Sequence, residues 1–195
     1  MCGFAGYAGE REYDTSVIRK MTDKIRHRGP DSQDAFVEGK VGLGFVRLSI
    51  IDLEGGSQPM FNEDKNLVLI FNGELYNFQD IRKELVEAGH VFTTHTDSEI
   101  LLHGYEEWGK EGLLGRLRGM FAFVIFDRTK KTLFGARDHF GIKPFYYYHK
   151  DGTFLFGSEI KSFLAHPDFQ KELFEEKLPD FMTFGCIPGA ETFFR

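Results

Sequence analysis

Met120-Phe-Ala-Phe-Val-Ile-Phe126 is apolar at every position, and that decides the fold. A strand half exposed to water alternates apolar and polar side chains. An unbroken apolar run of this length is therefore a strand covered on both faces. Residues 132–136 follow after a turn at 127–131, close enough to pair with it antiparallel. Further strand-like runs lie at 145–148 and 153–156, and a short helix starts near Glu159.

Upstream, residues 67–71 read as a short apolar strand that stops at Asn72-Gly73, a frequent turn pair. Residues 34–39 and 41–48 read as a hairpin around Gly39-Lys40, and Gly55-Gly56 marks a loop. The opening stretch, 2–9, is short-sided and reads as a buried first strand. Three helices fit between these strands. Asp14 precedes one carried by Val17, Ile18, Met21 and Ile25, which ends before Gly29-Pro30. Asn77 caps a second, with Ile81, Leu85 and Val86 on its inner face and Gly89 beyond its end. Thr96-Asp-Ser-Glu99 fits a capping box and opens a third through Ile100, Leu101 and Tyr105. Strands, helices and then strands again are not the βαβα alternation of a parallel sheet. The class expected is α+β, with stacked antiparallel sheets flanked by helices. Residues 171–195 have weaker periodicity, with Pro179 and Pro188, and read as an edge or the start of a connection.

The bulk numbers agree with one globular domain: 195 residues, 42% hydrophobic and 28% charged. The 22 phenylalanines call for a large aromatic core, each buried ring contributing roughly 150–250 Å². A net charge of −6 argues against nucleic acid or an anionic membrane as partner. No apolar run has the length of a membrane span and no leader pattern opens the chain, so the setting expected is cytoplasmic and reducing. The seven histidines, 27, 90, 95, 103, 139, 149 and 166, show no ligand spacing such as HExxH, and no metal is expected. Cys186 has no partner motif, although a Cys2–Cys186 disulfide stays open at this point.

Cys2 follows Met1, and a small second side chain is what Met-removing aminopeptidases accept. Once Met1 is gone, one residue carries both a thiol and a free α-amine. The amine's reference pKa is about 7.7–8.0 and the thiol's about 8.5, so the amine can take the thiol's proton near neutral pH. Nucleophile and base are then a single residue.

Six segments occur in order: Cys2-Gly-Phe-Ala-Gly, Arg26-His-Arg-Gly-Pro-Asp31, Arg47-Leu-Ser-Ile-Ile-Asp52, Asn72-Gly-Glu-Leu-Tyr-Asn77, Gly119-Met-Phe-Ala-Phe123 and Arg137-Asp-His-Phe-Gly-Ile-Lys-Pro144. Together they resemble the class II glutamine amidotransferases, and within these the glutaminase half of glutamine-hydrolysing asparagine synthetase. The resemblance runs from Cys2 to about Lys161. It implies a four-layer αββα sandwich of the N-terminal-nucleophile hydrolase type over 1–195. It also implies hydrolysis of glutamine to glutamate and ammonia through a thioester on Cys2.

On the same resemblance, the side-chain amide of Asn72 and the backbone N–H of Gly73 match the oxyanion donors, which acyl transfer needs at about 2.7–3.1 Å. Arg47 matches the residue that pairs with the substrate α-carboxylate, and the backbone of Ser49, Ile50 and Ile51 lines the pocket. Asp97, with Glu74 nearby, matches the residue that binds the α-ammonium. An acid in a helix's first turn is also favourable through the dipole alone. Arg28 lies in a loop that approaches the nucleophile, where a cation favours a thiolate. No cofactor is implied for these residues. ATP and magnesium belong to a C-terminal synthetase domain, to which 171–195 would lead, and room is left for a homodimer. A paralogue that amidates another carboxylate, or a non-catalytic module of the same fold, are the alternatives.

Overall fold

In the computed structural model, residues 1–48 and 56–194 are described. Their strands are β1 Gly3–Ala8, β2 Ser32–Glu38, β3 Val41–Arg47, β4 Met60–Phe61 and β5 Leu67–Leu75. After them come β6 Gly119–Asp127, β7 Thr132–Arg137, β8 Tyr146–Lys150 and β9 Thr153–Gly157. They form two antiparallel sheets, ordered β2-β3-β1-β9-β8 and β4-β5-β6-β7. The expected α+β class holds.

The layers follow from the pleat of β6. Successive side chains point to opposite faces, so Phe121, Phe123 and Ile125 join one apolar cluster with Leu69, Leu85 and Leu101. Ala122, Val124 and Phe126 join another, with Phe4, Leu43, Phe45 and Phe156 from the first sheet. The first cluster lies under helices α2 Phe78–Glu87 and α3 Glu99–Arg116, and the second fills the space between the sheets. A third packs Ala5, Tyr7 and Val46 against helix α1 Thr15–Asp23 and the 3₁₀ turn Ile160–Ala165. Helix, sheet, sheet, helix is the four-layer order expected, and the run at 120–126 is covered on both faces.

Local signals were met unevenly. Asp14 accepts from Ser16 N–H at 2.6 Å and caps α1. Asn77 does precede α2, but its side chain bonds Arg116 O and Arg118 N rather than its own helix, and Val86 faces solvent. The capping box at 96–99 does not form: the Glu99 carboxylate accepts instead from the N–H and hydroxyl groups of Thr93 and Thr94. Helix α3 runs on to Arg116 across a kink at Gly109, whose φ of 65° a glycine takes without strain. Asn72-Gly73 is no turn. Strand β5 passes straight through it, with Asn72 opposite Ala122 and Gly73 opposite Phe121, because β6 offers a partner along the whole length.

Both cysteines are free, Cys186 on the surface. The C-terminal stretch carries a short helix, α4 Leu178–Phe184, with no buried residue. Phe194 nevertheless folds back onto Phe169, with ring centres 5.4 Å apart.

Phe123→Ala removes a fully buried ring from the helix-side cluster. It should cost about 3–5 kcal/mol, read as a lower urea midpoint at unchanged slope. Phe140→Ala, at a residue 90% exposed, should change stability by no more than about 0.5 kcal/mol.

Candidate active site

Strand β4 is only two residues long, so beyond Leu69 one edge of β5 has no strand beside it. In an antiparallel ladder, backbone groups of alternate residues point to opposite sides. Leu69 faces β4, so Phe71, Gly73 and Leu75 face the same open side. Side chains substitute for the missing strand at two of them. Gln58 accepts from Phe71 N–H at 2.5 Å and donates to Phe71 O at 3.1 Å. The Asp97 carboxylate accepts from Leu75 N–H at 2.9 Å. Gly73 lies between them, and its N–H is directed into a cavity of about 470 Å³. A Cβ here would lie 2.5 Å from the Met120 carbonyl, so only glycine lets the two strands close at this point.

The cavity opens where the ends of both sheets meet. Cys2 immediately precedes β1 and Arg47 ends β3, which brings them together because Gly3 pairs with Val46. Asn72, Gly73 and Glu74 come from β5, and Asp97 from the loop leading to α3. All six line the cavity, so the structure gathers residues scattered from 2 to 97. Ser49, Ile50 and Ile51, expected to line the pocket, lie outside the described residues.

The Cys2 thiol accepts from Leu48 N–H at 3.4 Å and donates to Leu48 O at 3.5 Å. Its nitrogen is an amide bonded to Met1, and the Met1 side chain lines the cavity as well. Asn72 is 3% exposed, and among the described residues its Nδ2 has no acceptor. A buried amide left without a partner costs about 1–3 kcal/mol. Asp97 stands just before α3 rather than in its first turn, and the N–H groups of Asp97 and Ser98 at the helix start still favour its charge. Burial, with Glu74 adding to it, raises its pKa above the usual carboxylate value despite the Leu75 bond.

Arg28 does not line the cavity. Its Nε donates to Cys2 O at 3.0 Å and its guanidinium pairs with Glu159 at 3.0 Å. It anchors the main chain of Cys2. Lys143 and Gln58 line the cavity without having been singled out as site residues. Lys143 belongs to the segment Arg137–Pro144. Its ammonium is 3.4 Å from Met1 Sδ, at a residue 7% exposed. The loop before it is built around Asp138, whose carboxylate accepts from the N–H groups of Phe121, Phe140, Ile142 and Lys143. For Gln58 no sequence signal exists, since its role depends on where β4 stops.

A profile of the glutamine amidotransferase domain matches residues 1–195. The chain belongs to that family. It is 42% identical over 200 residues to asparagine synthetase [glutamine-hydrolyzing] 3 of Bacillus subtilis (strain 168), covering 99% of this chain and 32% of that protein. Asparagine synthetase [glutamine-hydrolyzing] 1 of the same strain is 43% identical over 198 residues, covering 98% of this chain and 31% of that protein. The chain thus spans about a third of the length of these curated relatives. Among solved structures, the fold is shared with glutamine phosphoribosylpyrophosphate amidotransferase from B. subtilis. The TM-score is 0.69 at 23% identity, over 84% of this chain and 43% of that one.

The raised pKa of Asp97 sets a sign for stability. The folded state holds this proton more tightly than the unfolded chain, so stability falls as pH rises from the unfolded value, about 3.9, through the folded one. Asp97→Asn keeps an acceptor for Leu75 N–H and has no charge to bury. It should melt higher than the parent at pH 7, and the gain should disappear below about pH 3.9 in paired thermal scans.

Proposed function

We propose that the cavity binds glutamine and hydrolyses its side-chain amide on Cys2, after removal of Met1 has freed the α-amine. The observation that carries this reading is the grouping in one cavity of a thiol, a guanidinium, a desolvated carboxylate and a buried amide donor. Free glutamine has two charged ends and a neutral amide, and these groups answer all three. Arg47 takes the α-carboxylate through its planar fork. Asp97, with Glu74 beside it, takes the α-ammonium, a cation that would offset the cost of its burial.

In the reaction the α-amine accepts the thiol proton and the sulfur attacks the amide carbon. The oxygen becomes an oxyanion held by Asn72 Nδ2 and Gly73 N–H. The proton passes to the leaving nitrogen, ammonia departs and a glutamyl thioester remains. Water, deprotonated by the same amine, attacks the thioester to give glutamate and restore the thiol. No metal or cofactor takes part in these steps.

The released ammonia, on this reading, serves asparagine formation. Identities of 42% and 43% to glutamine-hydrolysing asparagine synthetases support that acceptor over another carboxylate. Activation of the acceptor by ATP and magnesium would fall to a synthetase domain beyond these residues, in a cytoplasmic protein. The non-catalytic alternative is disfavoured because Cys2, Arg47, Asn72, Gly73 and Asp97 all remain and converge.

With Met1 removed, the chain should release glutamate from glutamine, and Cys2→Ser should abolish this. Asn72→Ala should lower kcat about 10²–10³-fold, the usual loss for one oxyanion donor. Glutamine should raise the melting temperature of Cys2→Ser but not of Cys2→Ser/Asp97→Asn, and N-acetylglutamine should raise neither. Glutamate release undiminished in Cys2→Ser would rule out the mechanism.

A further inference from the structure

Behind the loop that carries Asp97, a second cluster of reactive side chains takes no part in the site. One ligand atom from each of His90, His103 and Glu106 lies within 4.8 Å of the others. We infer that these three residues bind a first-row divalent transition-metal ion, with zinc the expected occupant. The inference does not depend on the glutaminase reading.

The spacing fits. Zinc bonds to nitrogen and oxygen of about 2.0–2.2 Å put neighbouring tetrahedral ligands roughly 3.3–3.5 Å apart. His103 Nδ1 and Glu106 Oε2 are 3.4 Å apart, at i and i+3 on α3. His90 approaches from α2, its ring centre 5.0 Å from that of His103. Its place is set by the helix end: Gly89 has φ +104°, and the N–H groups of Gly89 and His90 close back on Val86 O and Leu85 O. That double closure is a Schellman motif, which fixes the residue after the glycine. Two imidazoles and a carboxylate leave a fourth position for water.

The surroundings are those of a held ligand set. Metal-binding histidines donate their other ring N–H to a carboxylate or carbonyl, and this partner orients the ring. His103 is 1% exposed, and its Nε2, which makes no hydrogen bond among the described residues, faces Glu99 Oε1 at 3.6 Å. The Glu99 carboxylate is itself clamped by Thr93 and Thr94. Asn62 Nδ2 donates to Glu106 Oε1 at 2.7 Å and leaves the other oxygen to face His103. Glu63 stands 3.7 Å from His103 Nδ1, and Glu107 is 3.2 Å from His90 Nε2. Four carboxylates around two imidazoles call for a cation. A proton is the competitor: burial opposes charge on His103, but Glu106, Glu99 and Glu63 outweigh it and push the pKa up to about 9.

The test uses the 195-residue chain with Cys2→Ser and Cys186→Ser, so that no thiol can hold zinc. After stripping with chelator, the protein is given zinc chloride, desalted and assayed for metal and melting temperature. One zinc per chain, a melting temperature several degrees higher, and a four- or five-coordinate absorption spectrum with cobalt are expected. His90→Ala, at the loop end of the site, and Glu106→Gln should each weaken zinc binding at least about tenfold, since each removes one of three ligands. Failure of the stripped protein to take up zinc, or equal uptake by both variants, would overturn the site and leave an ion-pair network held by a proton.

Discussion

Strand β5 pairs with β6 over its full nine residues on one side but with β4 over only two on the other. Backbone donors and acceptors that are buried must find partners, so the open edge has to be satisfied by other means. Gln58 and Asp97 do this with side chains, on either side of Gly73. Much of the site follows from that shortage. A longer β4 would complete the ladder and take up the Gly73 N–H, and the cavity would close. The full-length pairing with β6 then holds the open edge rigid, because β6 is fixed between two apolar clusters.

Polar groups in the cavity are poised at a cost to the fold. Asn72 buries an amide whose Nδ2 has no acceptor among the described residues, and Asp97 buries a carboxylate that burial pushes toward the protonated form. Lys143 buries an ammonium that donates to the Met1 thioether. Each would cost less in water. They stay in place because rigid elements hold them: the β5–β6 ladder for Asn72, the Leu75 bond for Asp97, and the Asp138-centred loop for Lys143. Donors held in place before the ligand arrives need no reorganisation when charge develops on it.

The layer order was legible because it rests on short-range pattern. The apolar run at 120–126, the Gly39-Lys40 hairpin and the Asp14 cap all state their outcome locally. The same signals failed where a distant element competed. Asn72-Gly73 has the composition of a turn, but β6 supplies a ladder that outweighs it. Thr96 to Glu99 has the composition of a capping box, yet Thr93 and Thr94 offer Glu99 four donors that its own helix end does not. Within the site, residue types and motif order pointed to Cys2, Arg47, Asn72, Gly73 and Asp97. Gln58 went unseen because its partner is a strand edge, and no window of sequence records where a strand fails to have a neighbour. Arg28 does approach Cys2, through its carbonyl, but motif order does not say that Glu159 takes part of its guanidinium.

That last detail bears on how an N-terminal residue can serve as a nucleophile at all. Chain ends fray unless they are tied down, and on the proposed reading cleavage after Met1 makes Cys2 a chain end. Its restraints, however, all lie on the side that survives cleavage. The carbonyl is held by Arg28, which Glu159 holds in turn. The thiol sits against both backbone groups of Leu48, and Gly3 enters the ladder opposite Val46. None of these contacts uses Met1. Losing it turns the Cys2 amide into the chain's α-amine and removes the thioether beside Lys143, so the terminal charge moves one residue nearer to the thiol. The anchoring of Cys2 from behind lets that change in charge occur without a change in position.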